Sequence, residues 1–243
     1  MQKLNLAALA LVTASGLAAC GGGGGGSPSV SSSNTPSTGG STGGTTGGNT
    51  GSTSAAGNYI KITAAGAEAP KSLTLKNNSR DTLVVDGKEI ALTYPGISAG
   101  TFTNLNGNVI SGSHLSYARY GVVKVDGNPI VFAQGNLSTD TPTTGKATYK
   151  GLSVHVAGSA APIDGDSRFD VDFGAKKLIG VVGVAGGGIQ LSADITGNTF
   201  QGTYATGTQT QGAFYGPQAA ELSGTYSNKA ANYNGAFGAV KQP

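Results

Sequence analysis

Charge is scarce in this sequence, and its scarcity excludes whole classes of function. Only 11% of the 243 residues are Asp, Glu, Lys or Arg, and the formal charge is +3, or +2 without Lys3 of the leader described below. The basic residues are scattered, Lys176-Lys177 being the nearest thing to a cluster. A nucleic-acid partner needs a concentrated basic face, and none is present. After residue 20 no apolar run is long enough to cross a bilayer as a helix. Helical periodicity is also missing there, apart from a turn expected at residues 217–220. A single cysteine, Cys20, leaves no partner for an intrachain disulfide. No Gly-x-Ser-x-Gly elbow appears in an α/β context, so a nucleophilic triad is not supported. Asp164, Asp166, Asp170, Asp172 and Asp194 are too sparse for a calcium loop and read as solvated turn and strand-face acids. The sequence therefore does not read as an enzyme and presents no metal site.

What is present begins with an export leader. Lys3 supplies its positive start and residues 6–12 its apolar centre, and small residues lead to Leu17-Ala18-Ala19-Cys20. That tetrapeptide resembles the lipobox of bacterial lipoproteins. The resemblance implies a signal peptide over residues 1–19 and lipidation at Cys20, with cleavage before it and acylation of the new amino terminus, giving an anchor of two or more chains. Gly21 in place of Asp after the cysteine implies passage to the outer membrane. Residues 20–57 are then the lipidated cysteine and a tether of Gly, Ser, Thr, Asn and Pro that holds one Val and two Ala. Such a chain cannot bury enough apolar surface to order itself, and its reach is about 35 Å.

Ordered structure is expected from residue 58. Short, partly alternating runs at 59–63, 72–76, 82–86 and 89–94 are punctuated by Pro70, Asn77-Asn78 and Asp86-Gly87, the last a strong hairpin signal. The Gly/Asn-rich residues 95–112 read as loops with one short strand at 101–105. Ten longer strand candidates follow, at 117–125, 129–135, 146–156, 167–173, 178–182, 189–195, 199–205, 212–215, 221–226 and 236–240. Their spacing, with turn signals between them, argues for a sandwich or barrel. Phe169, Val171 and Phe173 fall on one face against Arg168, Asp170 and Asp172. Ile189, Leu191, Ala193 and Ile195 oppose Gln190, Ser192 and Asp194 in the same way. The fold class is all-β, with a β-rich subdomain over residues 58–114 and a barrel over 115–243.

Four blocks carry a family resemblance. Phe169-Asp-Val-Asp-Phe-Gly-Ala-Lys-Lys177, Ile189-Gln-Leu-Ser-Ala-Asp-Ile-Thr-Gly-Asn-Thr-Phe200, Gly212-Ala-Phe-Tyr-Gly-Pro-Gln-Ala-Ala-Glu-Leu-Ser-Gly224 and Gly235-Ala-Phe-Gly-Ala-Val-Lys241 resemble the β-barrel domain of transferrin-binding protein B. The barrel is similar also to that of factor H binding protein and of hemophilin-like lipoproteins. The resemblance covers residues 115–242. It implies an eight-stranded antiparallel barrel preceded by a handle subdomain, so some of the ten candidates have to be extensions or loops. It makes the stretch around Gly216-Pro217 the closing hairpin.

The resemblance further implies a lipoprotein lipid-anchored in the outer membrane and exposed on the cell surface. Delivery would fall to a Slam-type translocator. The partner would be an extracellular host protein, an iron carrier of the transferrin kind or a complement regulator. No cofactor is required on this reading. The alternative is haem capture for iron acquisition, with His114 as the iron ligand and Tyr117 and Tyr120 near it; a purely structural outer-membrane role is a third reading. His155 lies on a strand and reads as a hydrogen-bonded histidine. Tyr94, Tyr117 and Tyr120 are candidates for a protein-binding surface, with strand packing as the alternative.

Overall fold

The computed structural model describes residues 56–243. The expected signal peptide, Cys20 and nearly all of the tether lie outside the described residues.

Nine short strands come first. They are β1 (Gly57–Thr63), β2 (Gly66–Ala67), β3 (Lys71–Leu73), β4 (Thr82–Val85), β5 (Lys88–Ala91), β6 (Phe102–Leu105), β7 (Asn108–Ser111), β8 (Ala118–Val125) and β9 (Asn128–Gly135). Three of their hairpins turn on Asp86-Gly87, Asn106-Gly107 and Asp126-Gly127, each pair with both residues at positive φ. Asp and Asn tolerate this conformation and Gly adopts it freely, which is why these dipeptides set tight two-residue turns. The strands pair in the order β2-β1-β9-β8-β7-β6, with β3 also on β1, while β4 and β5 pair only with each other.

Eight strands follow: β10 (Lys146–Ala157), β11 (Ile163–Asp172), β12 (Lys177–Val184), β13 (Gly187–Thr196), β14 (Thr199–Thr203), β15 (Gln209–Tyr215), β16 (Glu221–Asn228) and β17 (Tyr233–Lys241). They form a closed antiparallel barrel in chain order. Closure is made by β17 against β10, from Tyr149 opposite Lys241 to Ala157 opposite Tyr233. The expected closing hairpin, β15 with β16, is therefore an internal pair of the barrel. The expected start of the barrel at residue 115 also shifts, because β8 and β9 hydrogen-bond into the N-terminal sheet. These are the two surplus strands among the ten candidates.

The barrel interior explains the glycines set inside its strands. Phe200, Gly212, Gly224 and Phe237 stand opposite one another in sequence across β14 to β17. A Cβ on Gly212 would lie 2.5 Å from the Phe200 ring, and one on Gly224 2.8 Å from the Phe237 ring. The two rings lie over the bare backbone and stack at 6.2 Å. Phe169, Phe173, Phe214 and Tyr226 fill the rest of the interior, all buried.

Three layers lie outside one another. Tyr120, Val122, Val131 and Ala133 of the N-terminal sheet pack on Val154, Val156, Ala213 and Ala236 of the barrel's outer wall. The opposite face of that sheet, with Ile110, Val123, Ile130 and Phe132, is covered by Leu83, Val85 and Leu92 of the β4–β5 hairpin and its exit. Both faces of β8 and β16 are consequently buried along nearly their whole length, and β8 lacks a clean polar alternation for that reason. Gly238 on β17 makes the close approach possible, since a Cβ there would meet the Tyr120 ring at 2.3 Å.

Candidate binding surface

The N-terminal sheet is held to the barrel by a buried carboxylate. Glu221 opens β16, is 3% exposed, and faces the chain entering β8. Its Oε1 accepts from the Ser116 N–H at 2.6 Å, and its Oε2 from those of Tyr117 and Ala118 at 2.9 and 3.1 Å. Burial pushes the carboxyl above its ordinary range, opposed by the three N–H donors and by the charge of Arg119. Arg119 is itself buried; its Nη1 donates to the Leu115 and Ala118 carbonyls, and its Nε meets Asp81 Oδ1 at 2.9 Å. Sequence reasoning passed over both residues. The available signal was a lone charge in each of two runs that are otherwise neutral, around Arg119 and Glu221.

His114 sits on the connection from β7 to β8, inside the N-terminal sheet and not at the expected handle-to-barrel junction, because β8 pairs with β7 and β9. Its Nε2 lies 3.0 Å from Tyr120 Oη, and the Phe102 and Tyr120 rings meet it edge-on at 6.0 and 5.8 Å. Burial lowers its affinity for a proton. The nitrogen that would bind iron is thus already engaged by a tyrosine hydroxyl, and a haem would have to displace that bond. Tyr117 and Tyr120 do not form a common face: Tyr120 is fully buried, whereas Tyr117 lies against Gly216. His155 points into the barrel, where its Nδ1 lies 3.0 Å from Tyr226 Oη and its ring 5.5 Å from that of Tyr233. Among the described residues no three His, Cys, Asp or Glu side chains gather as a metal site.

A hydrogen-bonded loop between β5 and β6 carries the exposed large apolar side chain of the N-terminal part. Ile97 is 49% exposed at its tip. Behind the tip the Ile97 N–H donates to Tyr94 O at 3.1 Å, and the Ser113 N–H to Ala99 O at 2.6 Å. Half-buried Tyr94 supports the loop, its hydroxyl accepting from Asn108 Nδ2 at 3.4 Å. The cations of the handle and barrel wall are largely neutralised: Lys61 pairs with Asp86, Lys76 with Glu89, Lys88 with Asp126, Lys146 with Asp172 and Lys177 with Asp194.

A closed barrel filled with buried aromatic and aliphatic side chains, carrying a sheet of short strands on its outer wall, defines a two-part β lobe. Residues 141–241, which hold the barrel, match the family described as C-lobe and N-lobe beta barrels of Tf-binding protein B. The family is one of ligand-binding proteins and not of enzymes. The chain is 32% identical over 160 residues to the Neisserial heparin binding antigen of Neisseria meningitidis, covering 62% of this chain and 31% of that one. It is 26% identical over 197 residues to transferrin-binding protein B of Moraxella catarrhalis, covering 66% and 26%. The chain thus spans about a third or less of the length of these relatives. The solved structure of transferrin-binding protein B from serogroup B Neisseria meningitidis superposes with a TM-score of 0.61 at 22% identity, over 77% of this chain and 44% of that one. This last likeness is one of fold.

Proposed function

We propose that this chain is a lipoprotein anchored in the outer membrane through Cys20 and displayed on the cell surface, where it binds an extracellular host protein. The family match over residues 141–241 is the observation that carries this reading. The names of the two relatives point to different ligands, a polyanion and a protein. The pairing of the handle and wall lysines with carboxylates favours the protein, because a sulfated chain would have to compete with ion pairs already made. An iron carrier of the transferrin kind or a complement regulator is the partner class. The interface centres on the loop bearing Ile97 and Tyr94, an exposed apolar residue on a pre-ordered backbone being the kind of group that anchors a protein contact. A Slam-type translocator would deliver the protein, and the tether would carry it clear of the head groups.

Protease treatment of intact cells tests the placement. Digestion without breach of the outer membrane is expected, and survival until the membrane is opened refutes it.

A further inference from the structure

The contact between the N-terminal sheet and the barrel changes character along its length. Over β10, β15 and β17 it is apolar. Over the outer faces of β14, β15 and β16 it becomes a grid of neutral hydrogen-bonding side chains. Gln201 stands opposite Gln211, and Gln211 opposite Thr225; one row further, Thr203 stands opposite Gln209, and Gln209 opposite Ser227. Here the sheet and the barrel part to leave a groove of about 440 Å³, with Ile60 and Pro70 on its other side. A smaller cavity of about 190 Å³ continues it past Asn58 and shares Gln201 and Gln211. The larger volume lies within the roughly 300–1,000 Å³ usual for small-ligand sites.

The groove has a defined chemistry. Among the described residues the side-chain amides of Gln201, Gln209 and Gln211 have no hydrogen-bond partner, and neither does the Ser227 hydroxyl. Buried Asn58 fixes the floor by donating its amide to Thr225 Oγ1. The only charged group on the lining, Asp194, is paired with Lys177. An ionic ligand would be stripped of water here without a counter-charge, at a cost the site does not offset. An added peptide strand would need a free main-chain edge, and on the barrel side β14, β15 and β16 are each paired on both sides. What remains is a neutral ligand dense in groups that both donate and accept, as glutamine amides and hydroxyls do. Pro70 supplies an apolar wall for carbon-bound hydrogens, with buried Ile60 behind it.

We propose that this groove binds an uncharged oligosaccharide. The site is distinct from the protein-binding loop, so either assignment stands if the other fails. Amide resonances of the isotopically labelled protein, titrated with maltotetraose, chitotetraose and lacto-N-neotetraose, test it. At least one of these is expected to give saturable shifts centred on Asn58, Gln201, Thr203, Gln209 and Gln211. In the double variant Gln201→Ala, Gln211→Ala the dissociation constant is expected to rise about tenfold or more, with the remaining spectrum unchanged. Should that variant lose its dispersed spectrum, the single exchange Gln209→Ala, at an exposed position, replaces it. The proposal is overturned if none of the three sugars gives saturable shifts at millimolar concentration. Shifts that survive the substitutions, or occupation of the same groove by a heparin-derived tetrasaccharide or an uncharged Ser/Thr peptide, also overturn it.

Discussion

Replacing Glu221 by alanine should loosen the handle from the barrel, at a cost the geometry sets. The carboxylate receives three main-chain N–H groups. Of these donors Ala118 is fully buried, whereas Ser116 is exposed enough for water to replace the lost acceptor. A hydrogen bond to a charged group is worth about 1.5–3 kcal/mol, and a buried donor left unpaired costs about 1–3 kcal/mol. With full loss at Ala118, partial loss at Tyr117 and little at Ser116, about 3 kcal/mol is expected. Arg119 keeps its bond to Asp81 and does not become an isolated charge. The chain has no tryptophan, so urea unfolding is best followed by far-ultraviolet circular dichroism. Hydrogen exchange at residues 116–118 should accelerate in the same variant.

The pH dependence gives a second reading of the same group. Burial raises the Glu221 pKa above its ordinary value near 4.5, so the folded chain holds this proton more tightly than the unfolded one. Stability from this group therefore falls as pH rises from about 4.5 through the raised value and is flat above it. Glu221→Gln should remove that slope while keeping part of the bonding. A Glu221→Ala variant within about 0.5 kcal/mol of the parent would refute the reasoning, because only surface changes are normally so mild.

Further outcomes follow from single contacts. Gly238→Ala should lower stability by about 1–3 kcal/mol through overpacking, since the new Cβ would press on Tyr120 and Leu115; an unchanged urea midpoint would count against the three-layer contact. Burial depresses the proton affinity of both His114 and His155 from an ordinary value near 6.5. The unfolded chain therefore takes up protons first on acidification, and stability should fall as pH drops below about 6.5, an effect absent from the double variant His114→Asn, His155→Asn. Cys20→Ser should move the protein from the membrane to the soluble fraction, as loss of an acyl anchor requires; unchanged membrane retention in cell fractionation would refute lipidation there.

Much of the barrel was legible because its inward residues alternate cleanly. Phe169, Val171 and Phe173, and Leu191, Ala193 and Ile195, all enter the core as their spacing indicates. At Gly212 and Gly224 of β15 and β16 phenylalanine rings lie where a side chain would otherwise stand. The assignment of β8 and β9 to a sheet was not legible. A run buried on both faces carries no alternation, and the pairing of β1 with β9 joins residues as far apart as Gly57 and Gln134. β7 was hidden in a Gly/Asn-rich stretch whose turn residues outweigh its Val109 and Ile110. The groove was invisible for a different reason: Gln209 and Gln211 lie outside the strand expected at 212–215, and only the register of β15 sets them beside Gln201 and Thr203.

Capture from host serum tests the central claim most directly. The lipid-free mature chain, immobilised through its tether, is expected to retain a serum protein identifiable by mass spectrometry. Retention is expected to weaken about tenfold or more when Ile97→Ser and Tyr94→Ala are combined, as at an anchoring position. Recovery of no serum protein above a control bearing residues 20–55 alone would contradict the account.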